Sequence, residues 1–117
     1  MSILNSTKQI LGLAADYTAF DLDVLTHINA AFSVTNQLGL GPEEGVFITG
    51  ATEDWPELGL PDNQLNMMKT YVYLKVRSLF DPPTTSFALA AMDNQIKEHE
   101  WRLNMLREAA LPPVVIP

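Results

Sequence analysis

Residues 61–83 read PDNQLNMMKTYVYLKVRSLFDPP, and their spacing decides the fold class. Leu65, Met68, Val72, Val76 and Leu79 recur at steps of three and four, the period of a helix that buries one face. A second line, Met67, Tyr71 and Leu74, runs beside the first. A helix this apolar on two flanks expects neighbours on both sides and should be the central one. Asp62 or Asn63 supplies the expected N-cap. Asp81-Pro82-Pro83 ends it, because proline lacks the amide donor and clashes with the preceding turn.

Working toward the C-terminus, Thr84, Thr85 or Ser86 caps a long helix expected to run to about Ala109. Its stripe is Leu89, Met92, Ile96, His99, Leu103 and Leu106, with Glu98 and Arg102 placed for an i,i+4 ion pair. At about 1.5 Å per residue it would be roughly 37 Å long, against a radius of gyration of about 13 Å for a globule of this length. It should therefore span the body and project past it. Trp101 and Met105 lie off the stripe and so should meet another subunit or form an apolar patch. Leu111, Pro112, Pro113, Val114, Val115, Ile116 and Pro117 cannot continue the helix and read as an extended apolar arm.

Toward the N-terminus, Gly39 and Gly41-Pro42 stop another helix. Its apolar positions are Leu22, Leu25, Ile28, Phe32 and Thr35/Leu38, with Val24, Ala31 and Val34 alongside. Thr18 and Asp21 form a capping-box-like pair at its start. A short first helix falls within Ile3 to Leu13. Residues 39–61 are irregular: Val46-Phe47-Ile48-Thr49 suits a brief strand or an extended loop, and Trp55 sits among acids and prolines as if exposed. The expectation is all-α, a small bundle of about four helices. A single domain covers 1–110, with the long loop at 39–61 and the arm at 111–117.

Composition narrows what such a bundle can do. In 117 residues, 47% are hydrophobic and 18% charged, enough for a core. Seven bases against fourteen acids give −7, the wrong sign for clamping nucleic acid. The charge is uneven: residues 1–62 hold Lys8 against nine acids, whereas 63–117 hold six bases against five. Without cysteine there is no disulfide framework, thiolate metal site or thiol chemistry. No apolar run approaches the roughly 20 residues of a membrane span, and Met1–Leu13 makes a poor signal peptide. A soluble, acidic, intracellular domain is expected.

Chemistry is hard to find. His27 has Asp23 one turn earlier, and His99 lies within an apolar stripe, but no third group accompanies either. Both read as structural histidines. Glu98 and Glu100 point to different helix faces, and Gly39-Leu40-Gly41-Pro42 is a helix stop with no preceding strand to make it a dinucleotide loop. No catalytic residue, metal ligand set or cofactor site is expected, and the chain is read as a non-enzyme. What needs explaining is apolar surface, and contact with other chains explains it.

The run Leu65-Asn66…Lys69-x-Tyr71-x-Tyr73-Leu74-Lys75-Val76-Arg77-Ser78-Leu79-Phe80-Asp81-Pro82-Pro83-Thr84-Thr85-Ser86-Phe87 resembles the head–tail connector, or adaptor, proteins of long-tailed bacteriophages. Ala91-Met92, Glu100-Trp101-Arg102-Leu103-Asn104, His27-Ile28-Asn29-x-x-Phe32 and Leu38-Gly39-Leu40-Gly41-Pro42 fit the same pattern, so the likeness covers residues 20 to 108. It implies a helical virion protein assembled as a ring, usually of twelve copies, at the neck between head and tail. Such a ring sits beneath the portal and continues the DNA channel, and assembly would take place in the host cytoplasm. The portal protein and a downstream neck or tail protein are the implied partners, with DNA passing through unbound. Carried onto this chain, Leu111 to Pro117 become the candidate portal-binding arm. Trp101, Met105, Trp55 and Phe47 become candidate subunit contacts. Another neck or tail-completion protein, or a helical regulatory module offering its arm to a partner, are the alternative readings.

Overall fold

The computed structural model describes residues 2–42 and 44–110, the last four of these as backbone alone. Four helices carry the fold: α1 (Ile3–Ile10), α2 (Asp21–Gln37), α3 (Asp62–Phe80) and α4 (Ser86–Ala110). A single 3-10 turn, Trp55–Leu58, interrupts the long α2–α3 connection. No strand forms among the described residues. The nearest approach is an isolated antiparallel bridge between Ser2 and Asp54.

α3 is central, as its two apolar lines require. Leu65, Met68, Tyr71, Val72 and Val76 are buried, with α1 and α2 on one side and α4 on the other. The helix starts at Asp62 with Pro61 in the cap position, so neither Asp62 nor Asn63 caps it by side chain. Leu79 is 46% exposed near the C-terminal end, beyond the reach of the core.

α2 differs from its expected stripe. Val24, Ile28, Ala31, Phe32 and Thr35 face the core, while Leu22 is 77% exposed. The reason is angular. Each three-residue step falls about 60° short of a full turn, so Leu22 and Ile28 sit on opposite flanks of the apolar arc. The expected Thr18 cap also fails: Asp21 N–H donates to the Thr18 carbonyl rather than to its hydroxyl. Asp21 is instead drawn to Lys8, whose Nζ lies 2.7 Å from Asp21 Oδ1 and donates to the Ala15 carbonyl at 3.0 Å. At its far end α2 closes on Gly39 (φ 83°), where Gly39 N–H donates to Asn36 O and Leu40 N–H to Thr35 O. That is a paired glycine stop, which needs the left-handed backbone glycine tolerates.

Trp55 is corrected outright. It is 1% exposed, not a surface residue. The 3-10 turn folds its indole into the crevice between α1, α2 and α3, where Nε1 donates to Ser6 Oγ at 2.9 Å. The ring meets Phe32 and Tyr73 edge-on, with centroids 6.1 and 5.9 Å away, and Lys69 Nζ lies 5.8 Å from it. A large apolar ring with one donor is stable in a crevice that supplies one acceptor. Its acidic and proline-rich neighbours remain outside and disguise it in the sequence. Ile3 N–H to Glu53 O (3.0 Å) fastens the same stretch to the start of α1.

α4 runs antiparallel to α3 after the Asp81-Pro82-Pro83 elbow, and Thr85 Oγ1 caps its first turn by accepting from Ala88 N–H. Glu98 and Arg102 pair at 2.8 Å as their spacing implies. Across the helix pair, Tyr71 Oη donates to Glu100 Oε2 at 2.8 Å. Of the expected stripe only Ile96 and Leu103 are fully buried, and Leu89 is 39% exposed. Two such anchors contribute about 1.5–3 kcal/mol each. Because α4 packs mainly on α3, most of its surface stays free.

Candidate functional site

The surface features that stand out are apolar and lie on opposite parts of the chain. The first begins with Asn29. This side chain, midway along α2, donates from Nδ2 to Ile48 O at 2.9 Å and accepts Ile48 N–H on Oδ1 at 2.8 Å. An amide can do this because it offers a donor and an acceptor side by side, as a neighbouring strand would. Residues 46–49 are thereby held extended along α2 without a strand partner. Ile48 turns inward and is buried, so Phe47 turns outward and is 75% exposed. The alternation is that of any extended chain.

Between this segment and α2 lies a groove of about 330 Å³ lined by Leu22, Leu25, Thr26, Asn29, Phe47, Ile48 and Thr49. A second hollow of about 230 Å³, on the other side of Phe47, includes Ser33, Asn36, Glu44 and Val46. Glu53 staples the Thr49 end. Its carboxylate accepts Thr49 N–H at 2.8 Å, Gly50 N–H at 3.3 Å and the Thr49 hydroxyl at 3.2 Å. The Thr49 backbone bond, foremost, holds the Glu53 carboxyl below its ordinary value, so it stands there as an anion.

The second feature is the outer face of α4. Lys97, Trp101 and Met105 follow one another at four-residue spacing. Trp101 is 62% and Met105 43% exposed, and Lys97 is exposed too. Trp101 and Met105 point away from Leu103 and therefore from α3, while Lys97 lies to the side and shares a hollow with Lys75, Ser78 and Leu79 of α3. At the start of the helix Phe87 is 86% exposed.

The charge split becomes sharper in three dimensions. Lys8, the sole base of residues 1–62, is 1% exposed and committed to Asp21. The surface contributed by that half is thus acidic without basic relief. Bases in the other half remain outside, among them Lys97 and Arg102.

Of the candidate contacts, Phe47, Trp101 and Met105 lie at the surface and Trp55 does not. The arm Leu111–Pro117 lies outside the described residues. Exposed Leu22 and the stapling roles of Asn29 and Glu53 escape sequence reasoning. The clue to Asn29 is a polar residue set within an apolar stretch of α2. The histidines stay apart: His27 is half-buried on α2, and His99 Nδ1 lies 3.0 Å from Gln95 O on α4. Among the described residues no group of three or more His, Cys, Asp or Glu side chains converges, and no helix is long and apolar enough to cross a membrane.

A four-helix domain with a well-tied core and large apolar side chains left outside belongs to the class of proteins that work by contact. The sequence model of the phage connector proteins matches residues 3–110, and the chain belongs to that family. No curated protein and no solved structure matches it. Family membership gives the chain a connector role in the phage neck.

Proposed function

We propose that the protein forms a ring, usually of twelve copies in this family, that joins the portal of the DNA-filled head to the tail and continues the DNA channel. The observation that carries this reading is the family match over residues 3–110. Exposed Phe47 and Trp101 on a domain whose own core is already filled support it. Residues that a monomer leaves in water are stabilised when neighbours cover them. The acidic half suits a conduit, since like charge denies DNA the counterion release that would hold it in place. The apolar arm Leu111–Pro117 docks on the portal by adding an extended segment to it, with backbone bonds giving affinity and alternate side chains giving fit. The downstream neck or tail protein meets the opposite end of the ring. The finished neck belongs to the virion, after assembly in the host cytoplasm.

Analytical ultracentrifugation of the protein over a range of concentrations, with and without portal, tests the ring. Oligomers at high concentration or on portal are expected, and a strict monomer in both cases overturns the reading. Deleting residues 111–117 should leave the helical circular dichroism intact and abolish portal binding. Normal head–tail joining by the truncated chain overturns the assignment of the arm.

A further inference from the structure

We propose that the Phe47 groove of one copy receives the Lys97–Trp101–Met105 face of α4 from the next copy, a junction that rests on the ring proposed above. Both surfaces carry a large aromatic side chain in water, Phe47 at 75% and Trp101 at 62% exposure. Aromatic side chains are enriched at the centres of protein interfaces, with polar and charged groups at the rim. Charge selects which surface meets which. Around the groove stand Asp23, one turn before Thr26, Glu53 at the Thr49 end, and Glu44 in the hollow beyond Phe47. The single base of that half, Lys8, is buried and cannot offset them. Groove against groove would set these acids against their own copies, whereas on the α4 face Glu98 is already neutralised by Arg102 at 2.8 Å and Lys97 beside Trp101 adds a further cation. Crossed pairing brings the Lys97 cation to the acidic rim and Trp101 to Leu22, Leu25 and Phe47. A contact between two different surfaces of one chain is heterologous, and it closes into a ring when the rotation per copy divides a full turn.

Complementation by mixing tests the junction. Phe47→Asp spoils only the groove and Trp101→Asp only the α4 face, and both sites are exposed, so unchanged circular dichroism is expected. Each variant alone should associate at least about tenfold more weakly than the wild type. Mixed together they should form a one-to-one heterodimer and nothing larger, because one intact groove meets one intact α4 face. Native mass spectrometry reads this directly. If either variant assembles like the wild type, or if the mixture gives no heterodimer while the wild type still forms rings, the junction is overturned and the ring stands. A wild type that stays monomeric even with portal overturns both. Should an aspartate variant lose its fold, Lys97→Glu and its combination with Asp23→Lys replace it. The single change should weaken association and the second restore it, and absence of restoration overturns the pairing.

Discussion

Asn29 grips Ile48 by both of its backbone groups, at 2.9 and 2.8 Å, and through that grip positions Phe47. One side chain thus decides where the most distinctive apolar residue of the loop stands. Asn29→Ala should cost about 1–3 kcal/mol, two modest hydrogen bonds with one buried backbone pair left unmet. Asn29→Asp keeps the acceptor for Ile48 N–H but turns an oxygen toward Ile48 O, and should be no better at neutral pH. Urea unfolding measures the loss, and faster hydrogen exchange at Ile48 locates it. Unchanged exchange there would refute the clamp.

The two tryptophans should report from opposite environments. Trp101→Phe leaves Trp55 alone, and its emission should be blue-shifted and poorly quenched by iodide. Trp55→Phe leaves Trp101, red-shifted and readily quenched in the dilute monomer. The same Trp55→Phe change removes the bond to Ser6 Oγ and should cost about 1 kcal/mol. Trp55→Ala empties the crevice and should cost about 3–5 kcal/mol.

Lys8 and Asp21 are unequal partners, at 1% and 29% side-chain exposure. Removing the lysine head leaves the Ala15 carbonyl and the Asp21 carboxylate without it, so Lys8→Ala should destabilise by about 3 kcal/mol. Asp21→Asn, nearer to water and still able to accept, should cost less. Lys8→Met with Asp21→Asn keeps volume, removes both charges and should recover part of the loss. Thermal melts of the four proteins at one pH decide the order.

Two groups should each add to the pH dependence of stability, one on the acid side and one on the alkaline side. Glu53 sits below its ordinary value of 4.5, chiefly through the Thr49 N–H bond, so the unfolded chain takes up protons first. Its contribution is present above that value and is lost as pH falls through the lower, folded one. Glu53→Gln should flatten the acid limb. Tyr71 is held above its ordinary value by burial first and by Glu100 second. Its contribution is complete below the ordinary tyrosine value of about 10 and is lost as pH rises beyond it. Tyr71→Phe should flatten the alkaline limb and cost about 1 kcal/mol at neutral pH. Denaturant unfolding across pH checks both, and parallel curves for wild type and variants would contradict them.

Periodicity and punctuation made the helices legible. The Leu65–Val76 spacing, the Asp81-Pro82-Pro83 stop and the Gly39 stop are local instructions, each acting within a turn or two of itself, so they could be read in order along the chain. The −8/+1 charge division was equally plain, because it is a count. What sequence could not disclose are decisions made by partners far apart in the chain. Trp55 looked exposed because its neighbours are acids and prolines, yet Ser6, 49 residues away, gives its indole an acceptor inside. Leu22 looked buried, yet the helix had to present Val24 and Ala31 to the core, and one helix cannot bury its whole circumference against two neighbours. Whether Val46–Thr49 became a strand depended on a partner, and the partner proved to be the side chain of Asn29. Sequence alone therefore determined a helical, acidic protein with apolar side chains to spare. Which of them remained outside to meet other chains was decided by tertiary packing, where long-range contacts compete for a limited core.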